Sequence, residues 1–152
     1  MIDFENRVLI KRPRQEVFDF VANFENIPKW NYYVRSVRKI NEVPIGIGAR
    51  FHQVRKTDQQ KFEIIEFERP NKVVVKTLEG SSPQFTMNFE FDAQGEHTVL
   101  TDTWQLETGH NPLLEMLGQS RVKSAVADNL SKLKELIETR ETQLQDGQVV
   151  TI

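Results

Sequence analysis

Asp102 is the residue of this chain whose surroundings most invite chemistry. It stands in Leu100-Thr101-Asp102-Thr103-Trp104-Gln105-Leu106, where strand alternation gives it Leu100, Trp104 and Leu106 as companions on one face. Burying an unpaired carboxylate is costly or raises its pKa, so an inward Asp102 requires a partner, a water or a ligand. Lining a cavity, it would accept a hydrogen bond or serve as a general base. The competing reading is a slip of parity at a bulge that turns it to solvent, or a bond to a neighbouring side chain.

Asn6 presents the same oddity, sharing its parity with Phe4 and Val8. An inward Asn orients a carbonyl or hydroxyl, or is satisfied by backbone, and the two readings stand level. Arg121 interrupts an apolar helical stripe one turn from Leu117 and Ala125. It either reaches inward as a cation for a carboxylate or enolate, or snorkels to the surface. On the strand after Gly48, Phe51, Gln53 and Arg55 share one parity and His52, Val54 and Lys56 the other; the inward set is open, with Phe51 the safer candidate. Trp30, Tyr33, Phe85, Met87, Phe89 and Trp104 supply either plain core or the wall of a pocket.

Other chemistries find little support. The chain has no cysteine, which removes disulfides, thiolate metal sites and cysteine nucleophiles. His52, His97 and His110 are scattered without metal-ligand spacing, so no metal and no cofactor is expected. Gly46-Ile47-Gly48 is followed by Phe51 where a dinucleotide fingerprint has its third glycine, and neither a Walker lysine nor a nucleophile elbow occurs.

These residues must be positioned by a chain of 152 residues, 38% hydrophobic and 28% charged, which is the make-up of one globular domain. Net charge is -2, with +5 carried by residues 1–61 and −7 by the remainder. In a compact domain such halves interleave into a solvated surface of mixed sign, so nucleic acid is not an expected partner. Lys11, Arg12, Arg14, Arg35, Arg38 and Lys39 form either a solvated edge or a rim that attracts an anionic headgroup. The start, Met1-Ile2-Asp3-Phe4-Glu5, has no signal-peptide pattern and no later apolar run is long enough for a span, which predicts a cytoplasmic protein without integral membrane association.

The first segment alternates as a half-buried strand. Pro13 then opens a short amphipathic helix carrying Val17, Phe18, Val21 and Phe24, and Pro28 leads into a second short helix or turn at Trp30-Asn31-Tyr32-Tyr33. From Val34 to Glu107 turn signals separate six short strands, the clearest holding Phe85, Met87, Phe89 and Phe91 on one face. Such short turns force antiparallel neighbours. Asn111-Pro112 starts a helix running to about Arg140, with Leu113, Leu114, Leu117, Val122, Ala125, Val126, Leu130, Leu133, Leu136 and Ile137 in its stripe. The prediction is an α+β fold: a seven-stranded antiparallel curved sheet wrapped around a long C-terminal helix, two short helices after the first strand, and a cavity between helix and sheet. A single domain spans residues 1–142, and residues 143–152 read as a frayed tail.

In their order along the chain, Ile10-Lys11-Arg12-Pro13 with Glu16-Val17-Phe18, Ile27-Pro28-Lys29-Trp30, Gly46-Ile47-Gly48-Ala49-Arg50-Phe51, Ile65-Glu66-Phe67-Glu68-Arg69-Pro70 and Leu130-Ser131-Lys132-Leu133-Lys134-Glu135-Leu136-Ile137-Glu138 resemble the START-like (SRPBCC) superfamily. The resemblance covers nearly the whole chain and is narrowest to the polyketide cyclase/dehydrase-like branch, whose relatives include lipid-transfer, birch-pollen-allergen-like and quinone-binding proteins. It implies the helix-grip fold and an apolar cavity, and transfers no catalytic residue. In that fold the first and last strands are adjacent, which puts Asn6 and Asp102 within reach of one polar spot.

Three functions follow as expectations. The first is binding of a small hydrophobic molecule (lipid, isoprenoid, quinone or polyketide-like) between sheet and helix. The second is a cofactor-independent cyclase or dehydratase in which Asp102, assisted by Arg121, moves protons. The third is a co-chaperone-like interaction module that meets a protein partner through Trp30, Tyr32 and Tyr33.

Overall fold

The computed structural model describes residues 1–107 and 112–152, the side chains of residues 112–114 excepted. The expected cap at Asn111, the turn at His110 and the packing of Leu113 and Leu114 lie outside the described residues. Strand β1 (Ile2–Ile10) leads into helix α1 (Arg14–Ala22) and a 3₁₀ turn, Phe24–Lys29. Six strands follow: β2 (Val34–Lys39), β3 (Arg50–Arg55), β4 (Gln59–Glu68), β5 (Lys72–Thr77), β6 (Phe85–Gln94) and β7 (His97–Leu106). Helix α2 then runs from Pro112 to Thr139. The second short helix lies earlier than Trp30–Tyr33, with Pro28 inside it and the Trp30 N–H closing onto Ile27 O at 3.1 Å. A single 3₁₀ turn tolerates the missing proline donor because it has few bonds to lose.

All pairs are antiparallel and the seven strands order as β1-β7-β6-β5-β4-β3-β2. The curled sheet and the helix it grips form the α+β, START-like helix-grip arrangement expected from the sequence. Alternation does the sorting on β6, where Phe85, Met87, Phe89 and Phe91 are buried while Glu90 and Asp92 face out. The Phe24 ring meets the edges of Phe51 and Phe62, and Phe18 does the same to Phe67 and Phe91, so α1 and the 3₁₀ turn seal one end of the core with aromatic contacts.

Helix α2 lies on this core over only part of its length. Leu130, Leu133, Leu136 and Ile137 are fully buried, whereas Met116 and Leu117, near the other end, are 66% and 61% exposed. The expected apolar stripe therefore splits into a seated C-terminal half and an N-terminal half that keeps to β1, with Gly118 facing Ile2, but is raised from β6 and β7. Polar contacts to β1 and the residue after it tie the helix at several levels: Asn6 Nδ2 donates to Lys123 O at 3.1 Å, Lys134 Nζ to Leu9 O at 2.6 Å, and the Lys11 N–H to Glu138 Oε2 at 2.7 Å. Among the described residues, no helix is long and apolar enough to cross a membrane.

The tail expected to fray is instead ordered. Arg140 takes a left-handed turn (φ 67°), after which β8 (Glu141–Gln143) and β9 (Val149–Thr151) pair as a hairpin. Thr142 and Leu144 are buried and β8 packs along α2, so the segment lacks a long apolar run yet hides its few apolar atoms on the helix. Leu144→Ala is expected to cost about 2–3 kcal/mol in urea unfolding. A midpoint equal to the wild type would mean the hairpin adds nothing to the fold.

Candidate functional site

Where α2 rises from the sheet, a cavity of about 400 Å³ opens between them. Its floor is a patch of β6 and β7, in which cross-strand neighbours Phe85 and Leu106, Met87 and Trp104, and Phe89 and Asp102 all line the space. This is a consequence of register, because residues directly opposite on antiparallel strands share a face. The roof is the cavity-facing side of α2, with Arg121, Val122, Ala125, Val126 and Asn129. Ile27, Trp30, Tyr33 and Val34 close one side, and Gln53 and Arg55 of β3 another.

Asp102 lies at the floor and is only 1% exposed. The β1–β7 and β7–β6 registers run through it without interruption, so no bulge turns it outward. Its Oδ2 accepts a hydrogen bond from Trp104 Nε1 at 2.9 Å, two residues on along the same face, while Oδ1 has no protein partner. Burial pushes its carboxyl up to about 7, and the Trp104 bond only partly offsets that. Trp30 Nε1 is a second buried polar atom of the wall without a partner. Two orphaned polar atoms in one apolar chamber are what a polar function on a ligand would satisfy.

The other sequence candidates divide. Trp30, Tyr33, Phe85, Met87, Phe89, Trp104 and Arg121 line the cavity along with Asp102. Asn6, Phe51 and Leu117 do not. Asn6 sits opposite Asp102 in the register, but its amide is spent on the Lys123 carbonyl, so the two share a place in the sheet and no hydrogen bond. Phe51 points inward as expected but is locked in the aromatic core between Phe24 and Phe62. Leu117 lies on the solvent side of α2 and is exposed, while the adjacent Gly118 faces Ile2 of β1. The interaction surface expected at Trp30, Tyr32 and Tyr33 loses its centre, since Trp30 is buried and Tyr32 is covered by the Lys56 ammonium at 3.2 Å.

Sequence reasoning left the β3 parity open and so missed Gln53 and Arg55. The parity is settled by Phe51 and Gln53 facing in, where Gln53 Nε2 donates to Gln60 Oε1 at 3.1 Å. Asn129 was also missed, although it follows Arg121 and Ala125 at successive steps of four, a line of one helix face that lacks large aliphatic residues. Its Oδ1 accepts from Gln145 Nε2 of the terminal hairpin at 3.4 Å, which links the tail to the roof.

The raised carboxyl of Asp102 has a consequence for stability. Between its usual 3.8 and about 7, the unfolded chain ionises this group while the folded chain keeps it protonated. Native stability therefore falls as pH rises through that window and levels off above it, a loss on the order of 4 kcal/mol. Asp102→Asn, uncharged and nearly the same shape, removes the loss. Its thermal midpoint is expected to exceed the wild type's by several degrees at pH 8 and by much less at pH 5. Equal gains at both pH values would show that Asp102 is ionised in the folded protein throughout.

Comparison with known proteins bears on the fold and the family. Among curated proteins, no sequence matches the chain. Among solved structures it is similar to TTHA0849 from Thermus thermophilus, at 20% identity and a TM-score of 0.74 over 89% of this chain and 96% of that one. It is also similar to a START superfamily protein from Mycobacterium smegmatis, at 12% identity and a TM-score of 0.72 over 90% and 99%. The family described as polyketide cyclase / dehydrase and lipid transport matches residues 1–138, the span from β1 to the seated end of α2. The helix raised over an apolar sheet face and the match along that whole span agree: the chain belongs to the polyketide cyclase / dehydrase and lipid transport family.

Proposed function

We propose that this protein binds a small hydrophobic molecule non-covalently in the cavity between β6, β7 and the raised half of α2. The observation that carries this reading is the cavity itself, about 400 Å³ of space walled by Phe85, Met87, Phe89, Trp104, Val122 and Val126. A collapsed interface would have gained packing energy, so an apolar hollow of this size is a standing cost that an occupant offsets. Each methylene moved there from water contributes about 0.8 kcal/mol. Isoprenoid, quinone, polyketide and fatty-acyl molecules all meet that demand, and the family's description points the same way. The apolar floor leaves hydrogen bonding to Asp102, Trp30, Gln53, Asn129 and the arginines of the wall, so the ligand's polar atoms would gather there.

One observation favours a second reading, in which the bound molecule is also transformed. Asp102 lines the cavity with one carboxyl oxygen unpartnered and a pKa of about 7, which suits a group that both takes and returns a proton. In a dehydration, the Asp102 carboxylate would take the proton from the carbon beside a substrate carbonyl, leaving an enolate. The same proton would then pass to the departing hydroxyl, which leaves as water, so the carboxylate is regenerated and no cofactor is consumed. One acid/base group of this kind contributes about 10²–10⁴-fold. On this reading Asp102→Asn loses turnover by that factor and keeps its affinity for the ligand.

Both tryptophans of the chain line the cavity, so intrinsic fluorescence reports on its occupant. Ala125→Phe, which thrusts a ring down from the roof, is expected to weaken binding of an apolar probe such as a long-chain alcohol by roughly tenfold or more while the protein stays folded. Unchanged affinity in the folded variant would place the ligand elsewhere. Native mass spectrometry of gently purified protein, with extraction of whatever travels with it, identifies the ligand class directly.

A further inference from the structure

Two arginines line the same cavity from different elements. Arg55 stands at the end of β3 and Arg121 on the raised half of α2. Neither is committed to a strong ion pair. Arg55 meets Asp58 only at 3.6 Å, and among the described residues Arg121 has no carboxylate partner and is exposed at the mouth. Among the described residues, the cavity lining contains a single carboxyl group, that of Asp102 on the floor. The opening therefore carries two guanidinium groups, of which Arg55 has Asp58 beside it and Arg121 faces solvent.

Position makes this more than surface charge. Arg121 occupies the cavity-facing line of α2, four residues before Ala125 and eight before Asn129, and is the one charged residue of the described roof. Arg55 continues the inward parity of Phe51 and Gln53, so its guanidinium leaves the core at the level where the sheet opens. Exposed Tyr33 completes that side of the mouth. An apolar tail inside and paired guanidinium forks at the opening match one kind of molecule, because a guanidinium binds a carboxylate through two parallel hydrogen bonds.

Resting on the cavity-binding reading, we infer that the occupant is an apolar acid, its chain in the cavity and its carboxylate held at the mouth by Arg121 and Arg55. The charged head stays partly hydrated at such a mouth, which keeps its contribution moderate and sensitive to salt. It selects for acids over neutral molecules of equal length more than it sets total affinity.

The test compares dodecanoate, methyl dodecanoate and dodecan-1-ol by tryptophan fluorescence at pH 8, below the concentrations at which they aggregate. The acid is expected to bind about three- to tenfold more tightly than the ester and the alcohol. Arg121→Gln combined with Arg55→Gln should erase that advantage, bringing the acid's affinity down to that of the ester and the alcohol in a variant whose circular dichroism matches the wild type's. If all three bind the wild type alike, the inference falls and the cavity-binding reading stands. If the acid keeps its advantage in the double variant, the arginines are not its receptor and the inference falls. If none of the three binds, the inference and the cavity-binding reading fall together.

Discussion

A straight helix cannot follow a curled sheet along its whole length, and the rest of this molecule depends on how α2 resolves that mismatch. Its C-terminal half is seated, with Leu130, Leu133, Leu136 and Ile137 buried against the sheet and the α1 side of the core. Its N-terminal half stays against β1 but stands off β6 and β7, and the space between is the cavity. The hydrogen bonds from Asn6, Lys134 and the Lys11 backbone hold the helix against β1 at fixed levels, so the raised half cannot simply tip down and fill the space. Stability and the binding chamber thus come from opposite ends of one element.

The cavity in turn governs the chemistry of Asp102. The same alternation that places Phe89, Met87 and Trp104 on the dry face places this carboxyl there too, and the dry face offers it only the Trp104 indole. A group so desolvated holds its proton near neutrality, which makes it a hydrogen-bond donor as readily as an acceptor. Such an arrangement lowers the stability of the empty protein at neutral and higher pH. Its retention is easiest to understand if a ligand supplies what the protein does not.

Much of this was legible in the chain. The alternation of β6, the turn signals between strands and the stripe of α2 are local patterns, each enforced by the period of its own element, and they led to the seven-stranded antiparallel sheet and its long helix, though not to the terminal hairpin or the place of the second short helix. The inward placement of Asp102 was one of two open readings, because alternation predicts a face only while the register is continuous, and continuity belongs to the neighbouring strands. Phe51, Asn6 and Leu117 show the same boundary from the other side. Phe51 is inward but locked in the aromatic end-seal, the Asn6 amide donates to the Lys123 carbonyl, and Leu117 falls on the solvent side of α2, outcomes set by partners far along the chain.

By itself, the sequence determined which residues turn toward a common interior, since hydrophobic periodicity is a property of consecutive positions. It also showed that the chain has no cysteine and lacks the spacings of a phosphate loop and of a nucleophile elbow. Only the tertiary structure decided which inward residues face empty space and which face one another. That depends on the curl of the sheet and the height of α2 above it, distances set jointly by strands and helix far apart in the chain. For the same reason it alone brought Arg55 and Arg121 to one opening, and made an ordered hairpin of a tail whose few apolar atoms find shelter only on the helix before it.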